Sequence, residues 1–179
     1  RDDRLLEIFN GHPQVHNHGA GGQPGMEEIW DMLLSDGMRM YGIAVDDAHH
    51  FREFRRDLAN PGRGWVAVKA AELAPLPLLE ALEAGRFYAS SGVELEDVMV
   101  SASRLEIHVR PQGDFRYTTQ FIGSGGRVLT ETHGTHAVFD LAVHGAAVAR
   151  ADETPSVRAR VVDSGGAVAW VQPVFLVAR

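Results

Sequence analysis

The spacing of apolar positions changes near residue 92, and the two halves of the chain predict different structures. In the first half, short apolar runs alternate with segments whose apolar residues recur at helical spacing. Four strands are predicted, at Leu5–Phe9, Tyr41–Val45, Trp65–Ala70 and Phe87–Ser90. Two helices are predicted between them, over Met26–Asp36 and from Pro75 to Gly85. This alternation favours parallel strands joined by right-handed crossovers, as in a barrel or an open doubly wound sheet.

After about Gly92 the helical spacing gives way to short alternating runs. Seven strands are predicted there, at residues 97–101, 105–110, 117–122, 127–130, 137–143, 157–162 and 167–171. Gly123–Gly126 and Asp163–Gly166 predict hairpin turns, because a phosphate-binding loop would need a helix directly after its glycines. The predicted fold class is therefore α/β followed by all-β, with an α/β unit over residues 1–92 and an antiparallel β-sandwich over residues 93–179.

Two carboxylates and two imidazoles directly follow the predicted strand Tyr41–Val45. Side chains two residues apart on an extended strand point the same way, so Asp47 and His49 could offer an oxygen and a nitrogen to one divalent cation. Asp46 and His50 would point the other way or support the ligands. The same cluster is also typical of a turn followed by a helix cap, and spacing alone leaves both interpretations open.

A second polar segment, with Asn10 and His12, follows the strand Leu5–Phe9. Active sites of α/β folds collect at the carboxyl ends of their strands. Both polar segments lie at such ends, and this agreement favours the metal site. A histidine before proline is equally typical of a plain turn.

The composition describes an ordinary globular protein. It has 179 residues, of which 45% are hydrophobic and 23% charged, and its net charge is −7. The negative charge argues against a nonspecific nucleic-acid binder, although local charge could hold a small phosphorylated or otherwise anionic substrate. No cysteine is present, so any metal must be bound by oxygen and imidazole.

The apolar runs of the sequence are too short to span a bilayer, and we expect a soluble protein without a membrane span. Arg1 opens the chain and no signal peptide is visible. The natural start and the compartment are left undetermined by these observations.

Four segments together resemble the PHP superfamily of metal-dependent phosphoesterases. They are Glu7–Pro13 (EIFNGHP), Trp30–Gly37 (WDMLLSDG), Tyr41–His49 (YGIAVDDAH) and Gly85–Gly92 (GRFYASSG). The resemblance covers roughly the first 92 residues and implies the closing part of a distorted (β/α)7 barrel. The β-sandwich that follows resembles the carboxyl-terminal extension of some members.

The resemblance also implies a metal centre of zinc, manganese or iron at the strand ends, with metal-activated water as the nucleophile. The family's late Asp-X-His motif falls on Asp47 and His49. Its opening His-X-His motif and its middle motifs belong upstream of Glu7 and are not among the 179 residues.

Five further residues are candidates for supporting the ligands or contacting the substrate: Asn10, His12, His50, Arg63 and Lys69. Arginines of the 52–63 segment are also typical of a solvated face, and a lysine at a strand end is also typical of a surface salt bridge. Four histidines of the second half lack the spacing typical of a zinc site and are expected to be surface or packing residues: His108, His133, His136 and His144.

The leading hypothesis is a metal-dependent hydrolase of phosphate esters whose site is incomplete in this chain. The alternative is a non-catalytic binding module in which the β-sandwich recognises carbohydrate, peptide or a protein partner. A third hypothesis is a homo-oligomer in which two chains complete one barrel by exchanging halves.

Overall fold

β-Strands dominate the computed structural model, which describes residues 4–148, 150 and 152–176. In chain order the strands are β1 (Leu5–Asn10), β2 (Tyr41–Val45), β3 (Trp65–Val68), β4 (Phe87–Ser90), β5 (Leu95–Val100), β6 (Arg104–Val109), β7 (Tyr117–Ile122), β8 (Val128–His133), β9 (His136–Asp140), β10 (Ser156–Asp163) and β11 (Val168–Phe175). The helices are α1 (Met26–Ser35), α2 (Pro75–Glu83) and the single turn α3 (Leu141–His144). No helix in the described ranges has the length and apolarity needed to cross a membrane.

The strands form three sheets that stack in layers. A six-stranded antiparallel sheet has the order β3-β4-β11-β10-β7-β8, and a three-stranded antiparallel sheet has the order β5-β6-β9. Their facing side chains form the larger core, which includes Ile107 of the small sheet and Phe121 and Val161 of the large one. This pair of sheets confirms the predicted antiparallel sandwich, and the two predicted hairpins connect β7 with β8 and β10 with β11.

The parallel pair β1–β2 lies with α1 against the other face of the six-stranded sheet. A second core joins these layers: Trp30 of α1 and Ile8 of β1 pack with Ala89 and Trp170 of the large sheet. The Gln172 side chain also exchanges two hydrogen bonds of 2.8 Å with the backbone of Gly42 in β2. The first and second halves of the chain therefore share continuous packing.

Arg158 of β10 fixes α1 to the large sheet through charge. Its guanidinium donates two hydrogen bonds of 2.7 Å to the Asp31 carboxylate, and Glu27 lies 3.2 Å away. The same guanidinium stacks 4.8 Å from the Trp30 ring centroid. Because the Arg158 side chain is only 3% exposed, these partners replace the water that it would otherwise need.

The expectation of parallel pairing holds for β1 and β2 but is wrong for β3 and β4. These two strands pair antiparallel and belong to the six-stranded sheet. The reason lies in α2, which buries Ala81 while Leu76 and Leu79 stay exposed, so it does not cover the sheet as a crossover helix would. The large sheet takes strands from both sides of residue 92, and the division into domains 1–92 and 93–179 stays a prediction.

The predicted strand at residues 137–143 is too long. β9 ends at Asp140, whose side chain accepts a hydrogen bond of 2.8 Å from the Ala142 amide. This cap begins α3, so the expectation that the second half contains no helix is wrong at this point.

Candidate metal site at the ends of β1 and β2

The carboxyl ends of β1 and β2 meet at one edge of the molecule. Asn10 pairs with Val45, and the Gly11 amide donates a hydrogen bond of 2.8 Å to the Val45 carbonyl. A Cβ atom on Gly11 would lie 2.7 Å from the Cβ atom of Arg63, so this close approach requires glycine. The two polar segments predicted from the sequence are thereby placed side by side.

Asp47 and His49 form the centre of this site. His49 Nε2 lies 3.0 Å from Asp47 Oδ1, so an oxygen and a nitrogen donor point to the same place. The two side chains are 41% and 62% exposed, which leaves them open to solvent and to ligands. Asp47 has φ +49°, a backbone conformation that is uncommon outside glycine and is often found at functional sites.

Asn10 holds the Asp47 carboxylate in position. Its Nδ2 donates to Asp47 Oδ2 at 3.3 Å and to Glu7 Oε1 at 3.0 Å. Asn17 in turn exchanges two hydrogen bonds with the Asn10 backbone, so Asn10 is itself fixed. The hydrogen bond from Asn10, assisted by His49, holds the pKa of Asp47 below its usual range.

His12 lies beside this pair, next to His49. Its ring is edge-on to the His49 ring, with 5.8 Å between the ring centroids. Its backbone amide donates to Asn10 Oδ1 at 2.8 Å, and its Nδ1 accepts a hydrogen bond from Gln14. The sequence correctly placed His12 at this edge, while the roles of Glu7 and Asn17 had no readable signal.

Asp46 points away from Asp47 and organises the next loop. Its Oδ1 accepts the backbone amides of Arg63 at 2.6 Å and Gly64 at 2.8 Å. Burial raises the pKa of Asp46, but the hydrogen bonds from Gly64, Gly62 and Arg63 outweigh it and hold the pKa below its usual range. Asp46 therefore fixes the loop as a carboxylate.

Arg63 is occupied by the same loop. Its guanidinium donates to the carbonyls of Arg55 at 2.6 Å and Arg56 at 3.3 Å, and it lies 3.5 Å from the Gly11 carbonyl. These contacts give Arg63 a positioning role near the site. His50 takes part through its backbone, which bonds to Ala59 and Asn60, while its side chain is exposed.

Lys69 is not brought to this site. β3 begins beside the end of β2, where Gly64 packs on the Val45 carbonyl. Lys69 follows the opposite end of β3 and is therefore far from Asp47 along the strand. Its Nζ pairs with Asp97 Oδ1 at 2.5 Å. This pair lines a cavity of about 730 Å³ that also includes Tyr41 at the opposite end of β2 from Asp47.

The donor chemistry of Asp47 and His49 suits a divalent cation held by oxygen and imidazole. Together they supply two ligands. Among the residues that the structure describes, one group contains three histidine or carboxylate donors whose ligand atoms lie within 4.8 Å of one another. It is formed by Glu106, His108 and His136. The sequence predicted these histidines to be surface or packing residues. It did not predict the group, because the three side chains meet only when β6 pairs with β9.

Comparisons with known proteins do not identify the chain. No family model matches it, and no curated protein matches it. Two solved structures are similar to part of it: a β-glucuronidase from Ruminococcus gnavus in complex with D-glucuronic acid, and the same enzyme in complex with uronic deoxynojirimycin. Each shares 13% identity, covers 48% of this chain and 14% of that chain, and has a TM-score of 0.24, which does not establish a common fold.

Proposed function

We propose that this chain carries part of the active centre of a metal-dependent phosphoesterase of the PHP class. The observation that supports it is the Asp47–His49 pair at the end of β2, oriented by Asn10 from the end of the adjacent parallel strand. In this proposal β1, α1 and β2 belong to the closing part of a (β/α) barrel, and the sandwich is its extension.

Each residue at this edge has a distinct role in the proposal. Asp47 and His49 bind a zinc, manganese or iron ion, and Asn10 keeps the Asp47 carboxylate turned toward it. A bound cation would supply an activated water and offset negative charge on a phosphoryl group. Asp46 and Arg63 hold the neighbouring loop in place.

The substrate class follows from the charge of the molecule. A net charge of −7 disfavours long polyanions, so the substrate is a small phosphorylated or anionic molecule attracted by the cation itself. His12 lies at the rim of the site, where its imidazole is within reach of such a group.

Metal content and hydrolysis together test the proposal. The purified chain is loaded separately with zinc, manganese and iron(II), and metal content and hydrolysis of p-nitrophenyl phosphate and bis(p-nitrophenyl) phosphate are measured. The Asp47→Ala, His49→Ala double variant should bind one equivalent of metal less than the wild-type chain and should lose any hydrolysis. A matched control is Glu131→Ala, His133→Ala, which removes an exposed carboxylate–imidazole pair two residues apart on β8. Activity that persists in the first variant would overturn the proposal.

A second candidate, a binding module, is favoured by the cavity between β3, β4, β11 and β5. Its walls combine the aromatic rings of Tyr41 and Phe87 with the charged side chains of Arg39 and Lys69. Oligosaccharide binding to metal-free protein, measured by NMR chemical shifts, would support this function if Arg39→Ala abolished it and Asp47→Ala, His49→Ala did not.

A further inference from the structure

The outer face of the three-stranded sheet carries a group made of one glutamate and two histidines. Along β6, Leu105, Ile107 and Val109 point into the sandwich core and are almost fully buried. Because side chains alternate along a strand, Glu106 and His108 project from the opposite, solvent-facing side. This face is separated from the Asp47 site by the whole thickness of the sandwich, since β1 and β2 pack on the far side of the six-stranded sheet.

The antiparallel pairing of β6 and β9 adds a third donor. His136 of β9 lies directly opposite His108 in the strand register. The two imidazole rings stack with 4.5 Å between their centroids and 20° between their planes. Glu106 Oε1 lies 3.0 Å from His108 Nε2 and 2.8 Å from His136 Nε2. The two nitrogen atoms and the carboxylate oxygen therefore all lie within 4.8 Å of one another.

We propose that Glu106, His108 and His136 form a zinc-binding site on the outer face of the sandwich. Two imidazoles and one carboxylate are a common ligand set for zinc and other late first-row cations. All three residues project from paired strands, whose ladder hydrogen bonds fix the backbone positions from which the side chains reach the site.

Zinc binding at this site requires the donor atoms to move apart slightly and the two imidazole rings to rotate. Ligand atoms in a tetrahedral zinc site lie about 2.0–2.2 Å from the metal and therefore roughly 3.3 Å from one another. The present separations of 2.8 and 3.0 Å must widen by a few tenths of an ångström. A zinc ion lies in the plane of each imidazole that binds it, so the stacked rings of His108 and His136 must also rotate until both Nε2 atoms face one cation. The two side chains are 35% and 54% exposed, so this rotation displaces solvent. Solvent would occupy the fourth position.

The surroundings of the carboxylate also suit this role. Glu106 is the least exposed of the three side chains, at 18%, and Arg104 Nη1 lies 3.9 Å from its other oxygen, Oε2. That arrangement leaves Oε1 turned toward the two imidazoles. Asp97 lies opposite His108 on β5, but its carboxylate pairs with Lys69, so it neighbours the site without belonging to it.

Zinc titration of the complete 179-residue chain tests this site. Protein freed of metal with a chelator is titrated with zinc by calorimetry, in the Asp47→Ala, His49→Ala background that removes the proposed active centre. We expect one equivalent of zinc in this background. Adding His108→Ala and His136→Ala should abolish that binding, and adding Glu106→Gln should weaken it by at least about tenfold.

The chain contains a matched control for these changes. Glu131 and His133 form the same carboxylate-X-histidine pattern on β8, but Thr118, instead of a histidine, lies opposite His133. Glu131→Ala, His133→Ala should leave zinc binding unchanged. NMR of the histidine side chains gives a second readout, because zinc should shift Nε2 of His108 and His136 and leave His133 unaffected.

The outcomes separate this site from the proposed active centre. Zinc binding that survives His108→Ala, His136→Ala, or that is lost equally in the Glu131→Ala, His133→Ala control, would overturn the inference. Loss of all zinc in the Asp47→Ala, His49→Ala background would also overturn it while supporting the other site. Glu106→Gln preserves side-chain shape, so its result stands even if the double alanine variant unfolds.

Discussion

Replacing Asp31 by asparagine should destabilise the protein substantially, because it removes the carboxylate that neutralises Arg158. The Arg158 side chain is 3% exposed. Both of its 2.7 Å hydrogen bonds are donated to the negatively charged carboxylate of Asp31. Removing one partner of a buried ion pair typically costs about 3–5 kcal/mol, because the remaining charge stays buried without compensation. The asparagine amide would keep one acceptor oxygen, and Glu27 remains 3.2 Å away, so the loss lies near the lower end, about 3 kcal/mol.

A loss of this size is readily measured. For a domain of this length, about 3 kcal/mol lowers the midpoint of thermal unfolding by roughly 6–12 °C. Thermal and urea unfolding followed by circular dichroism would report it. The control is Asp57→Asn, which makes the same chemical change in the exposed bidentate pair that Asp57 forms with Arg55. That pair is open to solvent, so its loss should leave the midpoint unchanged.

A double-mutant cycle locates the effect in the ion pair. In an Arg158→Met background the buried positive charge is gone, so Asp31→Asn should then cost much less than it does in the wild-type protein. The reasoning would be refuted if Asp31→Asn unfolded at the same temperature as Asp57→Asn. Equal losses from Asp31→Asn in the wild-type and Arg158→Met backgrounds would refute it as well.

Three further predictions concern the site and its supports. A Cβ atom on Gly64 would lie 2.5 Å from the last carbonyl of β2, so Gly64→Ala should lower stability in urea by about 1–3 kcal/mol, whereas Gly145→Ala, with open space around it, should be neutral. Burial raises the pKa of Glu27, but its two arginine partners outweigh this and lower it. The ionised Glu27 therefore stabilises the folded protein at pH values above the usual carboxyl pKa. This stabilisation is lost as the pH falls through the lowered pKa of Glu27. Unfolding from pH 6 to pH 3 should show a smaller decline for Glu27→Gln than for wild type, and parallel curves would contradict this. Finally, Asn10→Ala should weaken cation binding at Asp47 by about 10–100-fold in equilibrium dialysis, and unchanged affinity would exclude its orienting role.

Local features of the sequence predicted most of the elements correctly. β2, β4 and β7 have the predicted bounds, because their apolar runs end at turn residues that interrupt any regular structure. α1 also lies where predicted: Glu28 bonds back to the Gly25 amide at its start, and Gly37 follows its end with φ +87°. Such signals act within a few residues and need no knowledge of the remaining chain.

Strand partners were not predictable in the same way. An apolar run shows that β3 is a strand but not that it pairs antiparallel with β4 in the large sheet. The same limit applied to both candidate sites. Asp47 and His49 are neighbours in sequence and could be predicted as a pair, whereas Glu106 and His136 are thirty positions apart and meet only through the register of β6 with β9.

The burial pattern of each strand distinguishes the two kinds of site. β11 lies in the middle layer, with Val171 turned to the sandwich core and Trp170 to α1 and β1, so both of its faces are filled. At its centre this strand therefore offers no open face to a ligand. Asp47 lies instead in the loop beyond the end of β2, in the layer that packs on the far side of the six-stranded sheet. β6 has one open face and reads as a strict alternation of apolar and polar residues. Ligands on that face, such as His108, project from paired strands, whereas Asp47 and His49 lie in a loop and are 41% and 62% exposed. A cation bound by the three donors of β6 and β9 should therefore exchange more slowly than one bound by Asp47 and His49.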